Sequence, residues 1–456
     1  MSRRVNLALA LVVVFAAVGV ATEQACDKAA PTEPGAVADA GPSTSDATVD
    51  RAWPSDIQVY DVGTVPDAPD GWIIPESIPA KCQIVMSPDQ AHMNPPPVWT
   101  PCGDGCVEFS KISTDEFTGL RAFLGVSRNG TRYLAFTNWY GPDQPWEIQI
   151  IDLGRNAVLL DAMSLRGLRV CSVHVPALTA DVALLEIYYE LQSPTINRFV
   201  MYVSQPIGAP LRRISDQTGS MIPGWWTASS DLWAYSYGLD LNIAWNRLDF
   251  STSMNTAWTS PDLSYVQRMV AVGPTILFDV VGNYLERIYA WDVAGGSREL
   301  VGPDATAAGG GCCMATDGTD LAWYQASGLL DGGMFSDVRL MVSPFATTRD
   351  QLKPRPLHRS RQPTFAQETQ MGGGYLLTVE NYYTSYLTVT RLADGAFVTL
   401  SAKPGYKWGQ PLYIDAEELA VVQYPATGPD AWTKPTSIIR QSLAALGPFL
   451  PVDAGQ

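Results

Sequence analysis

The chain has 456 residues, 46% of them hydrophobic, and a formal net charge of −16. That length admits one large β domain or two to three ordinary domains, with apolar content enough for a sizeable core. The acidic balance excludes a general nucleic-acid role, which needs basic surface to neutralise phosphates.

Residues 1–21 read as a secretory signal peptide. Arg3 and Arg4 form the positive start, and Leu7 to Val20 is apolar but short for a membrane span. Gly19-Val20-Ala21 supplies a small-x-small cleavage site. Cys26 follows Ala25 as lipoprotein processing requires, which makes Cys26 a lipidation candidate. Glu23 and Gln24 stand where that processing favours small or apolar residues. Residues 22–70 hold ten acids against two bases and are rich in Ala, Pro, Thr and Ser. Such a stretch buries too little apolar area to offset its ordering entropy, so it is expected to be a disordered, self-repelling linker.

Residues 71–104 form a transitional Cys/Pro-rich segment with Pro95-Pro96-Pro97. Setting Cys26 aside leaves six cysteines: Cys82, Cys102, Cys106, Cys171, Cys312 and Cys313. An even number in an exported chain points to disulfides. Cys102-Gly103-Asp104-Gly105-Cys106 would close a small loop, and Cys82 paired with either cysteine is the alternative.

From residue 105 to 456 the chain repeats. An apolar strand recurs with first residues Leu134, Val182, Leu232, Ile276, Leu321, Tyr375 and Leu419. A strand of period-two alternation follows each one, as in Glu147-Ile148-Gln149-Ile150-Ile151. Several units go on through a turn into a short fourth strand, as in Ala393-Asp394-Gly395 leading to Phe397-Val398-Thr399-Leu400. Seven copies at this period predict an all-β fold, a seven-bladed β-propeller. The strand from Val107 to Ile112 precedes the first unit and is expected to close the ring as the outer strand of the last blade.

Asn129-Gly130-Thr131-Arg132-Tyr133-Leu134-Ala135-Phe136-Thr137, followed by Glu147 to Leu153, resembles the repeat of TolB-like propellers. Thr316-Asp317-Gly318-Thr319-Asp320-Leu321-Ala322-Trp323 is similar to the same unit. The resemblance spans about residues 105 to 450 and implies a propeller of the bacterial envelope. TolB itself has six blades behind an α/β domain. This chain has seven units without that domain, so TolB's role is not carried over.

Chemistry-bearing patterns are sparse. The three histidines, His92, His174 and His358, are not expected to converge on a metal, so no metal site and no cofactor is predicted. The sequence has no Asp-rich calcium loop, Gly-x-Ser-x-Gly elbow or phosphate loop. Cys312-Cys313 either form a strained ring with each other or make separate bonds, one of them to Cys171. Aromatics cluster after the second strands: Trp139-Tyr140, Tyr188-Tyr189, Tyr235 and Tyr237, Tyr324, Tyr382-Tyr383 and Tyr424. They either line a face suited to sugars and peptides or pack between blades. Trp225-Trp226 and Trp408, on inner strands, carry the same ambiguity. Arg349, Lys353, Arg355, Arg359 and Arg361 crowd one loop that is either solvated or receives anions.

The expected function is an exported, surface-tethered, monomeric propeller that binds an envelope protein or glycan without catalysis. It would touch the membrane only through a lipid anchor and would bind no nucleic acid. The rival expectation is a carbohydrate-active or lactone-type enzyme with acids at the channel mouth.

Overall fold

The structure is a computed structural model that describes residues 84–86, 93–111, 119–128, 130–139, 146–164, 171–190, 197–219, 225–237, 242–248, 255–259, 265–282, 285–293, 295–302, 311–329, 335–359, 367–380, 386–426 and 436–451. The signal peptide, the linker, Cys26, Cys82 and His92 lie outside the described residues. Three strands precede the ring: β1 (Ile84–Met86), β2 (Thr100–Gly103) and β3 (Cys106–Lys111). Blade 1 is β4 (Gly119–Arg128), β5 (Thr131–Trp139), β6 (Trp146–Asp152) and β7 (Ala157–Ser164). Blade 2 is β8 (Cys171–Leu178), β9 (Ala183–Glu190), β10 (Asn197–Ser204) and β11 (Arg212–Gly219). Blade 3 is β12 (Trp226–Ala228), β13 (Leu232–Tyr237), β14 (Asn242–Arg247) and β15 (Asn255–Thr259). Blade 4 is β16 (Tyr265–Val272), β17 (Thr275–Gly282), β18 (Leu285–Asp292) and β19 (Gly296–Val301). Blade 5 is β20 (Gly311–Thr316), β21 (Asp320–Leu329), β22 (Phe335–Pro344) and β23 (Arg355–Arg359). Blade 6 is β24 (Gln367–Gly372), β25 (Tyr375–Glu380), β26 (Tyr386–Arg391) and β27 (Phe397–Ser401). Blade 7 takes β28 (Tyr406–Ile414), β29 (Glu418–Pro425) and β30 (Thr436–Ser442) from the end of the chain. Its fourth strand is β3, antiparallel to β30 with Cys106 opposite Gln441 and Lys111 opposite Thr436, as the sequence predicted.

Turn chemistry sets the start of each second strand. In blade 5 the Asp317 carboxylate accepts the N–H groups of Thr319 (2.8 Å) and Asp320 (3.0 Å), while Gly318 takes a φ of +87°. Thr179, Ser229 and Asp415 hold the equivalent turns of blades 2, 3 and 7 through the same side-chain-to-backbone bonds.

Strand alternation then sends neighbouring residues to opposite blades. Leu321 and Trp323 pack toward blade 4, whereas Ala322 and Tyr324 pack toward blade 6. The buried apolar residues resolve into seven clusters, one for each junction between adjacent blades. A closed ring of seven blades has seven junctions, so no sheet face is left uncovered.

The seam between blades 7 and 1 is reinforced three times. The first reinforcement is the pairing of β3 with β30. Next, β1 pairs with β7 on blade 1 while the β2–β3 hairpin stays on blade 7, its Cys102–Cys106 disulfide packed toward blade 6. Between these two attachments Trp99 lies against Phe109 (6.1 Å between centroids), with Arg440 over its ring. Finally, Arg132 of blade 1 forks onto Asp415 of blade 7 at 2.5 and 3.0 Å, and Ser127 donates to the same carboxylate. Burial acts to raise the Asp415 carboxyl, but the bonds from Arg132, Ser127 and the turn N–H groups hold it below its ordinary value.

Inner strands approach closely at this end of the chain. A Cβ on Gly372 would lie 2.2 Å from the carbonyl oxygen of Ile414 in blade 7. Gly372→Ala is therefore expected to destabilise the ring by about 1–3 kcal/mol, read as a lower urea midpoint with an unchanged slope. Deleting residues 105–111 removes the closing strand and is expected to lower Tm by about 10 °C or more. An unchanged melt would mean that β3 is only an accessory strand.

Candidate functional site

Each blade runs up and down four times, so loops fall on two faces. Second-to-third and blade-to-blade connections share one face; first-to-second and third-to-fourth turns share the other. Most connections of the first face lie outside the described residues, whereas the turns of the second are largely described.

On the second face a cavity of about 510 Å³ opens among blades 2, 3 and 4. Blade 2 contributes Gln205 and Arg212, which flank the turn between β10 and β11. Gln205 donates to the Ser230 carbonyl at 3.3 Å, and Arg212 donates to the Leu248 carbonyl, so both side chains are fixed across the junction. Blade 3 contributes Asp231, in the turn after β12, and Arg247, at the exposed end of β14. The Leu248 N–H donates to the Asp231 carbonyl at 3.0 Å, which ties these two turns together. Blade 4 closes the wall with Pro274 and Val293. Asp231 and Arg247 make no ion pair with each other or with any other described residue. Two guanidiniums, Arg212 and Arg247, and the Asp231 carboxylate thus line one concave space, all three exposed, with Asp231 accepting the Ser230 hydroxyl at 3.3 Å.

A second polar cluster is sealed into the junctions of blades 4, 5 and 6. Arg268 on β16 reaches past blade 5, donating to the Met314 carbonyl (3.0 Å) and to the Thr369 hydroxyl of blade 6 (2.5 Å). The Thr369 hydroxyl donates in turn to the Cys313 carbonyl at 3.0 Å. Asp279, opposite Arg268 in the β16–β17 register, accepts the Cys313 N–H at 2.9 Å. Burial pushes the Asp279 carboxyl up to about 6, against the opposing pull of Arg268 and the backbone N–H groups. Cys313 sits at a φ of +56° and is disulfide-bonded. The side chains of Cys171 and Cys312 lie outside the described residues, so the ring expected at Cys312-Cys313 does too. On β8, removal from water pushes the half-buried His174 ring down to about 4. Among the described residues no group of three or more His, Cys, Asp or Glu could hold a metal ion.

The aromatic candidates divide. Tyr235 is buried in the junction of blades 2 and 3, stacked on Trp226 with centroids 4.6 Å apart. Tyr324 is buried between blades 5 and 6 and shares a 3.2 Å hydrogen bond with Thr378. For these two, packing between blades is the alternative observed: strand alternation turns them into a neighbouring blade. Trp408 is likewise buried, with its indole N–H donating to the Leu400 carbonyl. Tyr140 and Tyr382, and the side chains of Trp139 and Tyr188, lie outside the described residues. Trp225 and Tyr386, at the start of their strands on the first face, are exposed. Tyr386 was not singled out in the sequence, because it reads there as an ordinary alternating strand residue.

The basic stretch is more occupied than its composition implies. Arg355 donates to the Leu392 carbonyl (2.6 Å), and Arg359 and Arg339 both pair with Asp337 at 3.0 and 2.7 Å. His358 bonds the Thr390 hydroxyl at 3.0 Å. Arg349 and Lys353 are exposed, and Arg361 lies outside the described residues. Sequence reasoning missed Arg247 and Asp231, which lie 16 residues apart by number and carry no motif. The faint signal was the Ser229-Ser230-Asp231 turn.

No protein-family profile matches the chain, and no curated protein matches its sequence. Solved structures do resemble it. An oligogalacturonate lyase in complex with manganese is 11% identical with a TM-score of 0.50, over 77% of this chain and 100% of the other. The β-propeller domain of the Trilobed protease from Pyrococcus furiosus is 11% identical with a TM-score of 0.45, over 72% and 98%. An α-L-arabinanase from Penicillium chrysogenum is 13% identical with a TM-score of 0.38, over 74% and 99%. At such identities the likeness to the lyase speaks for a propeller fold alone.

The sealed carboxyl makes stability depend on pH. Asp279 is protonated in the folded chain up to about pH 6 but ionises near 4 when unfolded, so the folded state binds the extra proton between these values. Stability is therefore expected to fall by about 3 kcal/mol between pH 4 and 6, relative to Asp279→Asn. Urea midpoints of both proteins across this range check it; parallel curves would show that Asp279 titrates as an ordinary carboxyl.

Proposed function

We propose that this chain is an exported, surface-tethered propeller that binds a protein or glycan of the cell envelope without transforming it. One observation carries the binding role: the cavity among blades 2, 3 and 4, lined by Arg212, Arg247 and Asp231, of which Arg247 and Asp231 enter no ion pair among the described residues. A concave site lined by a few convergent charged and polar groups is where an external ligand is expected to bind. The Cys102–Cys106 bond supports the address, since disulfides persist in oxidising compartments. The signal peptide, the acidic linker and the TolB-like repeat support it further. The rival, a carbohydrate-active or lactone-type enzyme, draws on Asp279, whose pKa of about 6 suits acid–base work. Its 1% exposure weighs against it, since a substrate must reach the proton.

The body from about residue 75 onward, screened against envelope glycans and envelope proteins, is expected to give saturable binding and an unaltered ligand. Cleavage or elimination products in the same mixture would favour the enzyme. Mass spectrometry of the full chain expressed in a bacterium distinguishes a lipidated Cys26 from a plain cut after Ala21. An N-terminus that still carries residues 1–21 would overturn the exported address.

A further inference from the structure

We infer that the cavity among blades 2, 3 and 4 is a site for a saccharide that carries a carboxylate. The inference rests on the binding role proposed above and specifies its ligand. Arg247 is the anchor. It stands at the end of β14, exposed, in register opposite Leu232, and no described residue takes its guanidinium. A planar guanidinium offers paired N–H donors that match a carboxylate in a fork, a geometry a lysine cannot supply.

Asp231 selects what lies beside that carboxylate. Its oxygens only accept, so the ligand must bring donors close to its own negative charge. A simple dicarboxylate or an acidic peptide segment would set a second anion against Asp231. A sugar acid instead places hydroxyl groups next to its carboxylate. Its hydroxyls donate to Asp231 while the carboxylate turns to Arg247. Gln205 and Arg212 are held across the junction by their bonds to Ser230 and Leu248, so the polar wall is fixed before a ligand arrives. Pro274 and Val293 give the opposite wall an apolar strip suited to the C–H face of a pyranose ring. A space of about 510 Å³ falls within the size of small-ligand sites and accepts one or two sugar rings.

The same geometry argues against a flat protein epitope as the occupant. The lining comes from turns of three blades around a concavity.

The test is calorimetric titration of the whole exported chain with glucuronic acid, with glucose, and with a glutamate-rich peptide. Glucuronic acid is expected to bind saturably, and glucose about tenfold or more weaker, the worth of a charged hydrogen-bonded pair. Arg247→Ala is expected to reduce glucuronic acid affinity to that of glucose, and Arg247→Lys to restore only part of it. Asp231→Asn should weaken both sugars together. Equal affinity for glucose, an Arg247→Ala protein that binds as before, or binding of the peptide in place of the sugar acid would each overturn the inference. If envelope-glycan binding survives intact in Arg247→Ala, the broader binding role stands and this assignment of its site falls. If neither sugar nor any envelope ligand binds, both fall.

Discussion

The molecule depends on pairing its first strands with its last. A ring of separately folded sheets has one junction that chain connectivity does not provide, between blades 7 and 1. Here β3 crosses that gap by hydrogen-bonding to β30. The Arg132–Asp415 fork and the Trp99–Phe109 packing lie on the same seam. Their concentration there has a simple cause. Elsewhere a short linker holds neighbouring blades together at high effective concentration. At the seam the loop to be closed is almost the whole domain, so specific contacts must offset a larger closure entropy.

Closure also decides the fate of side chains. Once every sheet is covered on both faces, alternating residues of the second and third strands are spoken for by the two adjacent blades. Among the described residues this buries many aromatics, including Tyr235 and Tyr324. What the packing leaves over is polar and sits where turns of several blades converge. The Asp231–Arg247 cavity is such a remainder. The Arg268–Asp279–Thr369 cluster is the opposite case, a set of polar groups inside the wall bonded to carbonyls, a hydroxyl and a backbone N–H.

These two clusters hold charge in contrasting settings. Arg268 spans three blades through carbonyl and hydroxyl acceptors, and Asp279 meets backbone N–H groups. Arg247 and Asp231 are exposed instead, and Asp231 accepts only the neighbouring Ser230 hydroxyl among the described residues. The turns that carry them are short and tied to each other, so the pair is preorganised. Preorganised charge facing an open cavity is what binding a small polar ligand needs.

The sequence by itself determined the fold class, the number of blades and the identity of the closing strand. Each rests on local physics: period-two alternation, turns begun by Asp, Ser or Thr, and a repeat that recurs seven times. It offered the Cys102–Cys106 loop beside a Cys82 pairing, and the structure holds the Cys102–Cys106 bond. Only the tertiary structure decided which aromatics are buried, that Arg355 and Arg359 are engaged by neighbouring groups, and that Arg247 and Asp231 face one cavity. Those outcomes depend on which blade a side chain meets across a junction. Such contacts join residues whose numbers bear no fixed relation, so no pattern along the chain encodes them.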